Sequence, residues 1–166
     1  MALADSGGGA GGPLPEPVPT PNGWMVTALE TVERCHHYGR IVDFWFEMDK
    51  APEDDFYYLG PEHKNLILAV MAAESACLPD QVSSADAVGL MQVIPRPWYP
   101  GVHSNNLNVY WGMYILDRSI MKGGCIRNGL AAYNCGFVKL RAGECGSKGG
   151  YHYADNVLGF WLPLFE

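Results

Sequence analysis

At 166 residues the chain is long enough for one compact domain that removes roughly two thirds of its unfolded surface from water. Apolar residues make up 48% and charged residues 17%, a globular balance, and no apolar run approaches the roughly 18 residues needed to span a bilayer. The formal charge of -7 lies in residues 1–62, where eleven acids face three bases, while residues 63–166 carry seven acids and eight bases; without a Lys and Arg cluster to grip phosphates, nucleic acid is not expected as a partner.

Residues 1–22 are rich in Gly and Pro with almost no bulky apolar side chain, a composition that cannot offset chain entropy by burial, so an arm or linker without chemistry is expected. They also lack the basic and apolar regions of a secretory signal, so general export is not expected. From Trp24 to about Met48, apolar residues recur at three- and four-residue steps, which predicts two helical segments interrupted near Gly39. Ala51 to Leu59 is expected as another short helical segment, opened by Glu53, Asp54 and Asp55 where a helix N-terminus favours negative charge.

Pro61 suits the first position of a helix, and Leu66, Ala69, Val70 and Ala73 mark a stripe that runs until Pro79, with Glu74 near its C-terminal end. Small, turn-prone residues surround Asp86 and Gly89, and Leu90 to Ile94 is compatible with a short helix ended by Pro95 and Pro97. Residues 106–121 and 128–133 read as two more helices broken at Gly123-Gly124, and a Gly-rich loop leads to a last helix from about Tyr153 to Phe160. No strand alternation stands out, so the class is mainly α.

Five cysteines (Cys35, Cys77, Cys125, Cys135 and Cys145) are an odd number, so any disulfide pairing leaves one free or paired between chains. No Cys and His spacing suits a metal, and His36-His37 reads as surface or packing. Glu74 is the informative residue: its helical neighbours are Ala, Val and Met, and a carboxyl against apolar groups has its charged form disfavoured and its pKa raised, which makes it a proton donor near neutral pH. It opens a 22-residue block, ESACLPDQVSSADAVGLMQVIP, ending at Pro95.

This block resembles the signature of the soluble lytic transglycosylase (SLT) domain of the lysozyme-like superfamily: Glu-Ser, a later Ser, Gly-Ala-x-Gly-Leu-Met-Gln, then Pro. Asn108 with Gly112 and Leu116 resembles the family's N-I-x-x-G-x-x-Y-L helix. Ala131 to Gly136 resembles A-A-Y-N-x-G, and Tyr153 to Leu158 its closing Y-V-x-x-V-L. The resemblance implies a lysozyme-like (SLT or goose-type) helical domain with a catalytic cleft over residues 23–166, with 23–60 as an acidic helical lead-in and 61–160 as the core.

It further implies a peptidoglycan lytic transglycosylase in which Glu74 alone serves as acid and base, cleaving between N-acetylmuramic acid and N-acetylglucosamine with formation of 1,6-anhydro ends. Ser83, Met91, Gln92, Tyr133, Asn134 and Tyr153 are the implied substrate-binding residues, and no metal or cofactor is implied. Gly89 is expected to bring its loop against the catalytic helix, since Gly permits close approach or a positive φ. Ser83 is expected either to hydrogen-bond Glu74 or an N-acetyl group, or to cap a turn. Tyr153 is expected to point its hydroxyl at Glu74.

The family's Gly before Ala is Asp86 here, a candidate second carboxylate. It opens the alternative of a goose-type muramidase that places a water for hydrolysis; a non-catalytic glycan-binding or structural virion protein is the alternative of another class. Ile94 and Ile115 replace a Met and a Tyr of the pattern and keep an apolar residue. Cys135, with Cys125 and Cys145 nearby, makes a local disulfide conceivable without fixing the pair. The expected place of action is the periplasm or cell wall. Peptidoglycan strands are the expected substrate, and virion or secretion-machine proteins, docking through residues 1–60, the expected carriers.

Overall fold

The computed structural model describes residues 18–19, 25–48, 56–146 and 149–166. An antiparallel pair of two-residue strands, β1 (Val18–Pro19) and β2 (Met25–Val26), precedes the helices, with Val18 opposite Val26. Val18 and Pro19 of the expected arm are therefore paired backbone, and the rest of residues 1–22 lies outside the described residues.

Helix α1 (Ala28–Met48) is continuous, not two segments. It starts at a capping box: the Thr27 N–H donates to Glu30 Oε2 at 2.8 Å and the Glu30 N–H to Thr27 Oγ1 at 3.2 Å, which satisfies donors the first turn leaves open. These bonds hold the Glu30 carboxyl below its ordinary pKa. Gly39 does not break the helix because it is a packing notch, buried where the Lys64 side chain crosses on its way to Asp43, 2.6 Å from Nζ to Oδ2.

The expected helix over Ala51–Leu59 is not formed in its described part. Residues 51–55 lie outside the described residues, and Phe56 to Leu59 is a loop. Its amides have a better acceptor than a helical carbonyl. The N–H groups of Tyr57, Tyr58 and Leu59 donate to the carboxylate of Asp117, which is fully buried, at 3.1, 2.7 and 2.8 Å, and hydrogen bonds to a charged acceptor are the stronger kind.

A 3₁₀ turn (Pro61–His63) leads into α2 (Lys64–Ser75), in which every residue from Leu66 to Ala72 is buried. A helix that is apolar all round belongs in the centre, so α2 is wider in burial than the expected stripe; α1 lies on one side and the C-terminal turns on another. It ends at Ser75, before Pro79 could stop it. Helix α3 (Asn105–Gly123) is capped by Ser104, whose Oγ accepts from Leu107, and closed by Gly124 at φ 76°. It packs on α4 (Ile126–Cys135), where buried Gly129 leaves no room for a side chain against Ile120.

Two segments differ from expectation towards the end. A short α5 (Phe137–Arg141) was not foreseen, and the last helix is α6 (Gly150–Asn156), running on as a π turn (Val157–Trp161) and a 3₁₀ turn (Leu162–Leu164). Cys35–Cys77 and Cys135–Cys145 are disulfides, and Cys125 is exposed and unpaired. His36 and His37 are exposed, the former ring meeting Phe165 at 5.5 Å. Among the described residues no helix is long and apolar enough to cross a membrane.

Candidate active site

Glu74 stands one residue before the end of α2. Beyond Ser75 the chain turns through two consecutive left-handed residues, Ala76 at φ 51° and Cys77 at φ 55°, a conformation that costs a side-chain-bearing residue on the order of 1–3 kcal/mol unless its surroundings over-determine it. They do so here. The guanidinium of Arg34 on α1 donates to the Ala76 carbonyl at 2.8 Å, and the disulfide fixes Cys77 to Cys35, one residue further along α1. The end of the helix that carries Glu74 is thereby clamped to α1.

The loop that follows is fastened on two more sides. Ser75 Oγ donates to the Leu90 carbonyl at 2.8 Å. Asn108 of α3, 1% exposed, accepts from the Met91 N–H at 2.8 Å and donates to the carbonyls of Val88 and Val102 at 2.8 and 3.0 Å. Gly89 belongs to this joint: at φ +76° its bare Cα faces the Asn108 side chain, so it brings the loop against α3, while the Ser75 bond to Leu90 holds the same loop to the catalytic helix. Leu90 to Ile94 is also not helical. Val88 pairs with Val82 on one side and Val93 on the other, a fold-back that the left-handed Gln92, at φ 49°, makes possible.

Glu74 itself is half-buried, so a ligand can reach it, yet enough protein crowds its carboxyl that burial pushes the pKa up to about 7 against a smaller downward pull from the Tyr153 hydroxyl. A carboxyl at that value is protonated in about half of the molecules at neutral pH, the balance a residue needs to give a proton and take one back. The Tyr153 hydroxyl is enclosed and makes no hydrogen bond of full geometry among the described residues. Its contact with Glu74 is a loose one, of the kind that tightens when an active site is occupied. Burial first, and then the charge of Glu74, keep both Tyr153 and Tyr133 well above the ordinary phenol pKa, so both remain hydroxyl donors. Tyr133 donates to the Met91 carbonyl at 2.6 Å.

The other residues singled out in the sequence fall in different places. Ser83 Oγ accepts from the N–H groups of Ala85 and Ala87 at 3.2 and 3.1 Å, the turn-capping role. Asp86 is exposed at φ 61°, its N–H donating to the Ser83 carbonyl at 3.0 Å; it sits at a turn corner that favours Asp and Asn. Met91 is fully buried against α3. Gln92 Nε2 donates to the carbonyls of Gln81 and Gly89 at 3.2 and 2.9 Å, which brace the loop. Asn134 is exposed. Among the described residues no group of three or more His, Cys, Asp or Glu side chains converges as metal ligands would.

Arg34 was not legible as a clamp, because a lone basic residue on a helix reads as solvated in sequence. Ser75 and Asn108 stood inside matched motifs without a role; a polar residue amid an apolar run, as Ser75 is, is the signal that points to a buried hydrogen bond.

No curated protein and no solved structure gives a significant match to the chain. The family model described as the transglycosylase SLT domain matches residues 61–149, more than half of the chain and the stretch that holds Glu74, the fold-back loop, Asn108 and Tyr133. The chain belongs to the transglycosylase SLT domain family, and its helical structure is the lysozyme-like fold of that family.

Proposed function

We propose that the protein cleaves the glycan strands of peptidoglycan as a lytic transglycosylase, with Glu74 as the acid and then the base. The observation that carries this reading is the half-buried carboxyl of Glu74, within the stretch that the family model matches, raised to about 7 by burial with the Tyr153 hydroxyl beside it. In its protonated form Glu74 gives its proton to the oxygen leaving from C4 of N-acetylglucosamine as the glycosidic bond breaks. The N-acetyl group of the muramoyl sugar supports the cationic carbon so formed. The Glu74 carboxylate then removes the proton of that sugar's C6 hydroxyl, whose oxygen closes the 1,6-anhydro ring. Attack from within one sugar exploits proximity and requires no positioned water. A hydrolytic route would need a second carboxylate at the cleft; Asp86 is an exposed residue at the corner of the turn capped by Ser83, which favours the one-carboxylate reading.

Glu74→Gln keeps the shape of the side chain and removes the titrating proton. Clearing of purified peptidoglycan is expected to fall at least about a thousandfold, a loss in the upper part of the range for removing one general acid. The activity of the unaltered protein is expected to fall about tenfold per pH unit above about pH 7, because the first step uses the protonated form. Clearing that survives Glu74→Gln would overturn the role of this residue.

A further inference from the structure

Beyond the matched Pro95 the chain continues Arg96-Pro97-Trp98-Tyr99-Pro100-Gly101, and Trp98 is 65% exposed. An indole left in water has not been used to build the core. Nor does it hang on a loose segment. Pro97 and Pro100 fix φ within this loop, the Tyr99 N–H donates to the Arg96 carbonyl at 2.9 Å, and Trp111 Nε1 donates to the Pro100 carbonyl at 3.0 Å. Behind Trp98 the rings continue: Trp98 meets Tyr99 edge-on at 6.3 Å, Tyr99 meets Trp111 at 5.1 Å, Trp111 meets Tyr110 at 4.7 Å, and Tyr110 meets Trp45 of α1 at 4.6 Å.

The loop is tied to the candidate site by the chain itself: the Met91 carbonyl accepts from the Tyr133 hydroxyl at 2.6 Å, and the backbone runs on from Met91 through Pro95 to Trp98, with the Tyr99 and Glu74 charges both acting on that Tyr133 hydroxyl. A rigid, exposed aromatic face on the loop that continues from the site's fold-back suits a ligand with flat apolar faces and polar edges. A pyranose ring is such a ligand, since its axial C–H bonds cover one face while its hydroxyls point outward. Arg96, exposed in the same loop, adds a cation near a polymer whose muramoyl side chains are anionic.

We propose that Trp98, backed by Tyr99 and Trp111, is a sugar-stacking subsite that holds the glycan strand next to the bond cleaved at Glu74. The proposal rests on the peptidoglycan reading given above. The loop presents the ring pre-organised, so little side-chain entropy is lost on contact. The subsite fixes where along the strand the enzyme settles, and its loss weakens the grip on the strand without altering the acid.

Co-sedimentation with insoluble purified peptidoglycan tests this in the Glu74→Gln background, where the strand is not consumed. Adding Trp98→Ala is expected to weaken binding about tenfold, and Trp98→Phe, which keeps a flat ring, to stay within about threefold. Trp98→Ala in the active enzyme is expected to raise KM with kcat nearly unchanged. Because the residue is exposed, the melting temperature serves as the control and is expected to hold. Unchanged binding in the Ala variant, or an equal loss in Ala and Phe variants, would overturn the subsite while leaving the function reading intact. Failure of both the unaltered protein and Glu74→Gln to bind peptidoglycan would remove the function reading and the subsite together.

Discussion

Burial that makes Glu74 useful also makes it costly to the fold. Its pKa is about 7 in the folded protein against an ordinary 4.5, so between these values the folded state holds a proton that the unfolded chain has released. Stability is therefore greatest on the acid side, falls as pH rises from about 4.5 to about 7, and is flat beyond. A shift of this size corresponds to about 3 kcal/mol. Glu74→Gln, neutral at every pH, is expected to be about as stable as the unaltered protein near pH 4 and about 3 kcal/mol more stable above pH 8. Urea midpoints at the two pH values check this; an equal difference at both would mean that the carboxyl is not desolvated. The sequence made Glu74 legible because an acid among Ala, Val and Met is out of place. It could not separate Met91, which is core, from Gln92, which folds the loop back, since backbone dihedrals decide that and neighbours in sequence do not reveal them.

Between elements, a few buried polar groups outweigh the surface pairs. Arg127 and Asp155 join α4 to α6 through two bonds of 2.7 and 2.9 Å, but both side chains are about half exposed, where water and salt leave such a pair about 0–1 kcal/mol. Asn108 satisfies three backbone groups out of water's reach. Asn108→Ala is expected to cost about 3 kcal/mol, read as a drop in the denaturation midpoint, because buried partners are left unsatisfied; a loss under about 1 kcal/mol would show that the loop closes over the gap. The Cys35–Cys77 bridge spans 42 residues, and Cys35→Ser with Cys77→Ser is expected to cost about 4 kcal/mol. Activity is expected to fall more steeply than stability, since the bridge anchors the left-handed turn beside Glu74. An unchanged unfolding midpoint would contradict the clamp. Helix boundaries failed in the sequence where such tertiary partners intervene: Asp117 takes the amides of Tyr57 to Leu59 from a helix, and Lys64 turns Gly39 from a break into a notch.

At the scale of the molecule, α2 is the organising piece: its buried run from Leu66 to Ala72 gives the fold its centre, and its exit delivers Glu74 to the surface between the fold-back loop and α6. The mainly α class was legible because helical periodicity is local and survives any arrangement of neighbours. The disulfide pairing was not, since it depends on how α1 lies on α2, a distance no spacing encodes. Family membership ties the fold to peptidoglycan, and the reaction turns on whether one carboxyl suffices. The end groups left on digested sacculi decide this most directly by mass analysis: the one-carboxylate account predicts 1,6-anhydro-muramoyl ends, and reducing muramoyl ends in their place would contradict it.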